Sequence, residues 1–372
     1  MDLTLSVEQR DLGRMLRDVV ASNRSEDAAR DALDSGHGYR PTEWRQLVDL
    51  GVLDPLVPSP DGDQLRTLAV VAEELGRGLV CVPFLPVAGM VAGVLADAAT
   101  AGPGSPAARL LVRIAAEGPV VTVAWPPPSG PWPGGGDHPA CRAEPSAGGG
   151  WTLEGSAEFV LFGAEADLVL VPAATPQGTA LLAVAGDAPG LVRQPIRTLD
   201  GTRPQARLAF SAVAADLVVP SDAGPALEAG RDRAGVLLAA EQLGTSQRAL
   251  EMAVAYAGER RQFGRPIGAF QAVKHLCADM YVGVESLRSA VRAAAWAADA
   301  RTPDHGALAS LAQAIASSVA AEATDANLHV HGGIGFTWEH PAHLYLRRAL
   351  GDASLLGPAD HHLASLADRA QL

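Results

Sequence analysis

Two segments in the C-terminal half of this 372-residue chain carry side chains and turns that could bind an anionic ligand. The first spans residues 259–275, where a helical pattern ends in Arg260 and Arg261 and a turn rich in glycine and proline follows. An arginine at such a corner can hold a phosphate group through two parallel hydrogen bonds. The same arginines could instead only complement the negative end of the helix dipole, so this segment alone leaves both interpretations open.

The second segment spans residues 329–341 and contains the adjacent glycines Gly332 and Gly333 at the end of a helical pattern. Paired glycines allow a ligand or another backbone to approach closely, although they also serve as an ordinary helix C-cap. No strand precedes them, so a Rossmann fingerprint is not indicated. Four histidines lie in or beside this segment, but no cysteine or carboxylate completes a metal site at suitable spacing: His329, His331, His340 and His343.

Composition narrows the possible partners. The net charge of −13 and the pI near 5.2 argue against binding to nucleic acid or to an anionic membrane. The three widely spaced cysteines predict neither a disulfide framework nor a zinc site. No signal-peptide pattern and no long uninterrupted apolar run are present, so we expect a cytoplasmic protein without a membrane span.

Periodicity predicts an α+β protein with three regions: a helical domain over residues 1–119, a β domain over 120–222 and a helical bundle over 223–372. Helical spacing recurs in the first region and returns in the third. The predicted long helices are 234–260, 270–300 and 308–330. The middle region carries short strand-like runs between Gly, Pro and Asp, which is typical of a small barrel or sandwich: 151–153, 159–162, 168–171, 180–184 and 207–210.

Taken in this order, and about 70 residues apart, the two C-terminal segments resemble the two C-terminal signatures of the acyl-CoA dehydrogenase family. Residues 151–160 resemble a hairpin of that family's middle domain, and residues 199–203 fall where that domain nears its end. The helical–β–helical order matches over essentially the whole chain. The resemblance implies an N-terminal helical domain, a middle β-barrel or sandwich domain and a C-terminal four-helix bundle.

The resemblance also implies FAD that is shared across a subunit interface. The residues expected to contact a neighbouring subunit's FAD are Arg260, Gln262, Phe263, Gln271, His329, Gly332 and Gly333. Arg260 and Gln262 would reach the pyrophosphate, Gln271 the adenosine side and the two glycines the ADP portion. His329 stands where the family usually has glutamine, and it can still donate a hydrogen bond.

The catalytic base of the family is missing from both of its usual positions. The family's reaction needs a carboxylate to remove the proton α to an acyl thioester while a flavin accepts the β-hydride. Leu356 occupies the common position of that glutamate, and Ala234 occupies the position that a minority of members use. Neither side chain can abstract a proton. The weaker candidate bases elsewhere are Glu241 first, then Asp232 and Asp352; a carboxylate that packs against helices and pairs with an arginine is the simpler interpretation of Glu241.

The flavin-facing part of the middle domain also departs from the family pattern. A Pro- and Gly-rich loop over residues 125–136 replaces a Thr-Glu-Pro-type motif, and residues 159–161 lack the threonine hydroxyl that would contact the flavin ring. The simplest hypothesis is a non-catalytic subunit that pairs with a homologous base-bearing subunit and an acyl-CoA or other acyl thioester. The chain resembles actinobacterial members that act on bulky substrates such as steroid side chains. The resemblance also implies assembly as a tetramer. A self-sufficient dehydrogenase using Glu241 and a flavin monooxygenase remain the alternatives, and Glu339 is expected to order its turn.

Overall fold

The computed structural model describes residues 2–23, 25–35, 39–57, 64–98, 102, 104–125, 140–146, 148–220 and 222–371. Helices precede and follow a β region, which confirms the predicted α+β class and element order. The α-helices are α1 Val7–Ser22, α2 Ser25–Ser35, α3 Pro41–Asp49, α4 Gln64–Arg77, α5 Ala92–Ala98, α6 Pro106–Glu117, α7 Gly224–Glu259, α8 Gln271–Asp299, α9 His305–His331, α10 Ala342–Asp352 and α11 Ala359–Ala370. The strands are β1 Val121–Val123, β2 Cys141–Pro145, β3 Trp151–Leu161, β4 Leu168–Thr175, β5 Gly178–Ala185, β6 Leu191–Ile196, β7 Gln205–Val219, β8 Arg261–Gln262 and β9 Arg265–Pro266.

The described chain forms two compact units. One contains Met1–Gly38, Leu65–Cys81 and Gly235–Leu372, and the other contains Tyr39–Gln64 and Val82–Ala234. The first unit is helical apart from the short β8–β9 hairpin, and the second holds strands β1–β7. The predicted boundaries at residues 119 and 222 stay a prediction.

The strands of the second unit close into a barrel. Their order is β1-β4-β2-β3-β7-β5, and β5 also pairs with β4, so the ring β4-β2-β3-β7-β5 returns to its start. Closure removes the unpaired strand edges that an open sheet would expose. The predicted runs 151–153 and 159–162 belong to the single strand β3, where the register with β7 shifts between Ala157 and Val160. Strands β2 and β6 were not predicted.

In the second unit, α6 begins at a serine N-cap and ends at a glycine in the left-handed conformation. Ser105 accepts a hydrogen bond from the amide of Ala108, 3.1 Å away, and the helix ends at Gly118 with φ +62°. The indole nitrogen of Trp44 donates to the carbonyl of Gly118 over 2.7 Å. This end of α6 is therefore held against α3.

Two glycines bring α4 and α7 together in the helical unit. A Cβ built on Gly76 would lie 2.0 Å from the carbonyl oxygen of Glu241, and one on Gly244 would lie 1.8 Å from the carbonyl oxygen of Glu73. Only glycine fits where two helix backbones approach so closely. The contact fixes the part of α7 that carries Glu241.

The helices α7, α8 and α9 correspond to the predicted segments 234–260, 270–300 and 308–330, with α7 starting ten residues earlier at Gly224. Alanines dominate the buried face of α9, among them Ala312, Ala316 and Ala320. Their small side chains let neighbouring helices pack closely, and α9 contacts α8, α10 and α11. This packing positions the ends of α7 and α9, where both signature segments begin. None of the described helices is long and apolar enough to cross a membrane.

Candidate functional site

The first signature segment forms a tight hairpin at the end of α7. The amide of Arg260 still donates to the carbonyl of Tyr256 over 2.9 Å, and β8 then pairs with β9. Phe263 and Gly264 make the two-residue turn, with φ +51° and +77°. Positive φ at both turn residues matches the right-handed twist of the strands, which is why glycine is favoured there. Phenylalanine in the left-handed region is strained, and such strain often marks functional sites.

This hairpin presents its side chains to solvent. Arg260, Gln262 and Gln271 are all exposed, and Phe263 has an exposed fraction of 89%. The rings of Phe263 and Phe270 meet edge to face with centroids 6.1 Å apart. The hairpin therefore offers cations, amides and an apolar ring that are not covered by the rest of the described chain.

The second signature segment ends α9 with an open glycine turn. Gly332 has φ +63° and ψ −142°, a conformation accessible almost only to glycine. A Cβ added to Gly332 or Gly333 would meet no atom of the described chain within 4 Å. The space beside both glycines is thus available to another molecule. His329 is exposed at the preceding turn, and its Nδ1 lies 3.0 Å from the carbonyl oxygen of Asp325.

Exposed apolar side chains lie within the second segment and on α8, the helix that follows the hairpin. They are Leu276, Tyr281, Val282, Ile334, Phe336 and Trp338. Single exposed apolar residues are ordinary, whereas several in one short segment, as at Ile334, Phe336 and Trp338, are typical of a surface that binds a ligand or partner.

The two positions predicted for the base hold apolar side chains in the structure. Leu356 is buried and has φ +64°, beside Gly357 at φ +116°. Ala234 is fully buried, and a Cβ added to Gly89 would lie 3.2 Å from its Cα. Residue 234 therefore offers only a buried methyl group, next to the backbone of Gly89.

Glu241 is held by a buried arginine. Its carboxylate accepts a hydrogen bond from Arg348 of α10, and both side chains are buried. Asp352 lies one turn after Arg348 on α10, on the same helix face, and is also fully buried. The geometry favours the structural interpretation of Glu241.

The remaining candidate carboxylates differ in exposure. Asp232 is half-buried on α7. Glu339 is exposed, and its own backbone amide together with Thr337 lowers the pKa of its carboxyl group. Its carbonyl oxygen also accepts a hydrogen bond from Arg30 over 3.3 Å. These contacts suit a residue that orders its turn.

The part of the middle β region that is predicted to face a flavin carries apolar side chains. Phe159 is half-exposed with φ +55° at the β3 bulge, and Leu161 is buried and pairs with Gln205. Trp125 is buried. The Pro- and Gly-rich loop lies outside the described residues from position 126 to 139.

Tyr256 is not among the predicted site residues, although it lies in the last turn of α7, four residues before Arg260. Its ring stacks on His331, with centroids 4.4 Å apart. In the part of the chain that the structure describes, no three His, Cys, Asp or Glu side chains are arranged to hold a metal ion.

Comparison with known proteins gives consistent results. Residues 229–371 match the family model described as "Acyl-CoA dehydrogenase, C-terminal domain". The chain is 35% identical to acyl-CoA dehydrogenase IpdE2 of Mycobacterium tuberculosis over 351 residues, covering 92% of each chain. It is similar to the structure of a variant of the Tcur3481-Tcur3483 steroid ACAD, with TM-score 0.84, 30% identity and 99% coverage of both chains. It is also similar to the ChsE4-ChsE5 complex from Mycobacterium tuberculosis, with TM-score 0.83, 28% identity and coverage of 100% of this chain and 99% of that one.

Proposed function

Because this chain belongs to the acyl-CoA dehydrogenase family, we propose that it is the non-catalytic subunit of a heteromeric FAD-dependent dehydrogenase that desaturates an acyl thioester. The proposal rests on a contrast between the residues predicted to contact FAD and those at the predicted base positions. The side chains that would reach a neighbour's FAD are present and exposed, whereas both base positions are apolar and buried.

The residues of the two signature segments fit FAD. The exposed guanidinium of Arg260 and the amide of Gln262 can hold pyrophosphate oxygens. The glycine turn offers space that a Cβ would reduce, so the backbone at Gly333 can approach the ADP portion closely. When bound, FAD supplies the acceptor for the β-hydride of the substrate. In our proposal this chain binds and orients the cofactor, and the partner's carboxylate removes the α-proton.

Three further observations support a partner subunit. The second signature segment exposes Ile334, Phe336 and Trp338, and exposed apolar side chains close together in sequence suit association with a partner. Two of the structures similar to this chain are named for two components each, Tcur3481-Tcur3483 and ChsE4-ChsE5. The word "steroid" in the first of these names supports a bulky, steroid-derived acyl thioester as substrate class.

The geometry disfavours a self-sufficient enzyme that uses Glu241 as its base. That carboxylate is buried against Arg348, and a general base must reach the proton that it removes. A flavin monooxygenase would need an intact flavin pocket, and Leu161 lacks the hydroxyl expected there.

The first experiment measures FAD per chain from the flavin absorbance at about 450 nm. The chain is purified alone and again after co-expression with a base-bearing homologue encoded beside its gene. We expect a colourless lone chain and about one FAD for every two chains in the pair. A lone chain that holds FAD fully and bleaches with an acyl-CoA would refute the heteromer.

A glycine substitution tests the donor role directly. In Gly333→Ala the new methyl group meets no atom of the chain within 4 Å, so the thermal stability of the lone chain is expected to stay unchanged. The FAD content of the pair should fall, because the methyl group occupies the space that the cofactor needs. Gly148→Ala is the matched control, since its Cβ also meets nothing within 4 Å and it lies in the β region. Equal FAD content in both variants would count against the glycine turn as a cofactor contact.

A further inference from the structure

Three aromatic rings stack where α9 ends. The ring centroids of Tyr256 and His331 lie 4.4 Å apart at an interplanar angle of 27°. The centroids of His331 and His340 lie 4.3 Å apart at 45°. His331 is buried, and its Nδ1 donates to the carbonyl oxygen of Asn327 over 2.8 Å. This hydrogen bond fixes the ring at the centre of the stack.

The stack connects three chain segments that are far apart in sequence. Tyr256 occupies the last turn of α7, and its carbonyl oxygen accepts the amide of Arg260. His331 is the last residue of α9, directly before Gly332. The Nδ1 of His340 accepts the amide of Ala342 at the start of α10, 3.2 Å away. Moving one ring would therefore shift the hairpin and the glycine turn relative to each other.

We propose that Tyr256, His331 and His340 are positioning residues that hold the β8–β9 hairpin and the glycine turn in the relative geometry needed to grip one FAD. This inference rests on the proposed donor role of the two segments. None of the three rings contacts the cofactor in this proposal. They act through Arg260 and Gly332, which follow closely after the stacked residues.

The surroundings of the stack favour the neutral form of both imidazoles. Burial lowers the pKa of His331 below its ordinary value of 6.5. Burial also lowers the pKa of His340, and His331, His343 and Arg30 lower it further while Glu26 opposes them. The positive charge of Arg347 acts on the neighbouring His343. The group that packs on His331 from α7 is the phenol ring of Tyr256.

Acidic pH is expected to weaken the stack. The folded state prefers the neutral imidazoles, so the stack contributes its full stability above the unfolded pKa of about 6.5. As pH falls below that value, the unfolded or opened state takes up protons first and the contribution is lost. Two imidazolium rings about 4 Å apart would also repel each other. FAD affinity is therefore expected to weaken below about pH 6.5 in the intact protein.

The test uses the FAD-loaded assembly, or the lone chain if it alone holds FAD. His331→Leu and Tyr256→Leu remove one ring each, and His331→Phe and Tyr256→Phe retain a ring. We expect about a tenfold rise in the FAD dissociation constant for the leucine variants, the size of one lost aromatic contact. The phenylalanine variants should keep most of the affinity, and His331→Phe should also flatten the pH profile. His343→Leu is the matched histidine control for FAD affinity at neutral pH, because its ring packs edge to face on Trp338.

Arg260→Ala serves as the reference for the donor role, and thermal midpoints identify any variant that fails to fold. If Arg260→Ala and the leucine variants all weaken FAD binding, the inference holds. If Arg260→Ala weakens binding and both leucine variants leave it unchanged, the stack is not a positioning device and the donor role stands. If none of these variants changes FAD binding, the donor role itself is overturned.

Discussion

Removing the positive charge of Arg348 should destabilise the fold strongly, because this side chain is buried against Glu241. Its exposed fraction is 1%, and α10 brings Asp352 to the same helix face. Removing one partner of a buried ion pair costs about 3–5 kcal/mol. At about 1.4 kcal/mol for each factor of ten, Arg348→Met raises the ratio of unfolded to folded chain roughly a hundredfold to a few thousandfold.

Urea denaturation followed by circular dichroism measures this change. The matched control is Arg14→Met, which breaks an ion pair with Asp11 on α1 whose side chains are 74% and 55% exposed. Such a surface pair contributes roughly 0–1 kcal/mol. The double variant Arg348→Met with Glu241→Leu should recover much of the loss, since an apolar pair can replace a buried ion pair.

The same pair separates a structural Glu241 from a catalytic one. Glu241→Gln keeps the size of the side chain and removes its charge, so we expect lower stability and unchanged substrate-dependent bleaching per bound FAD in the co-expressed pair. Our reasoning is refuted if Arg348→Met costs no more than Arg14→Met. It is refuted equally if Glu241→Gln abolishes bleaching while the denaturation midpoint stays the same.

Three further changes probe local features. Gly118→Ala should destabilise by more than about 1 kcal/mol, because its φ is +62° and the new Cβ would lie 2.6 Å from Val48; differential scanning calorimetry checks this. Burial raises the pKa of Cys141 to about 11, so at about pH 8 an alkylating reagent should label half-buried Cys277 first, as peptide mass spectrometry would show. Tyr345→Phe removes a buried hydroxyl 2.8 Å from a carboxylate oxygen of α2, so the free energy of unfolding, measured by urea denaturation, should fall by about 1–3 kcal/mol.

The features that could be predicted from the sequence are those that leave a local signal. Gly264 and Gly332 mark turns because positive φ favours glycine, and both turns follow long apolar stretches without an interior proline. The helices α7, α8 and α9 are long enough for that spacing to be clear. Strand β3 was divided into two short predictions because the glycine and alanine before its bulge interrupt the alternation of apolar residues.

The features that could not be predicted depend on which helices pack together. Glu241 and Arg348 are 107 residues apart, and nothing in either neighbourhood indicates the other. The stack of Tyr256 on His331 is likewise a contact between the ends of two helices. Phenylalanine at a left-handed turn position carries no local signal either, since Phe263 adopts φ +51° against its own preference.

Leu356, at the position predicted for the family's base, has an unusual backbone conformation. A leucine at φ +64° is less stable than it would be in an ordinary conformation, by roughly 1–2 kcal/mol. Such strain persists only where the surrounding structure imposes it. Leu356 therefore occupies a backbone geometry that its own side chain does not favour, within a turn whose shape is determined by its neighbours. In our proposal a partner performs the proton transfer, and this chain needs its fold for assembly. Such a chain would keep the backbone of the turn, and a packed apolar side chain could replace the carboxylate.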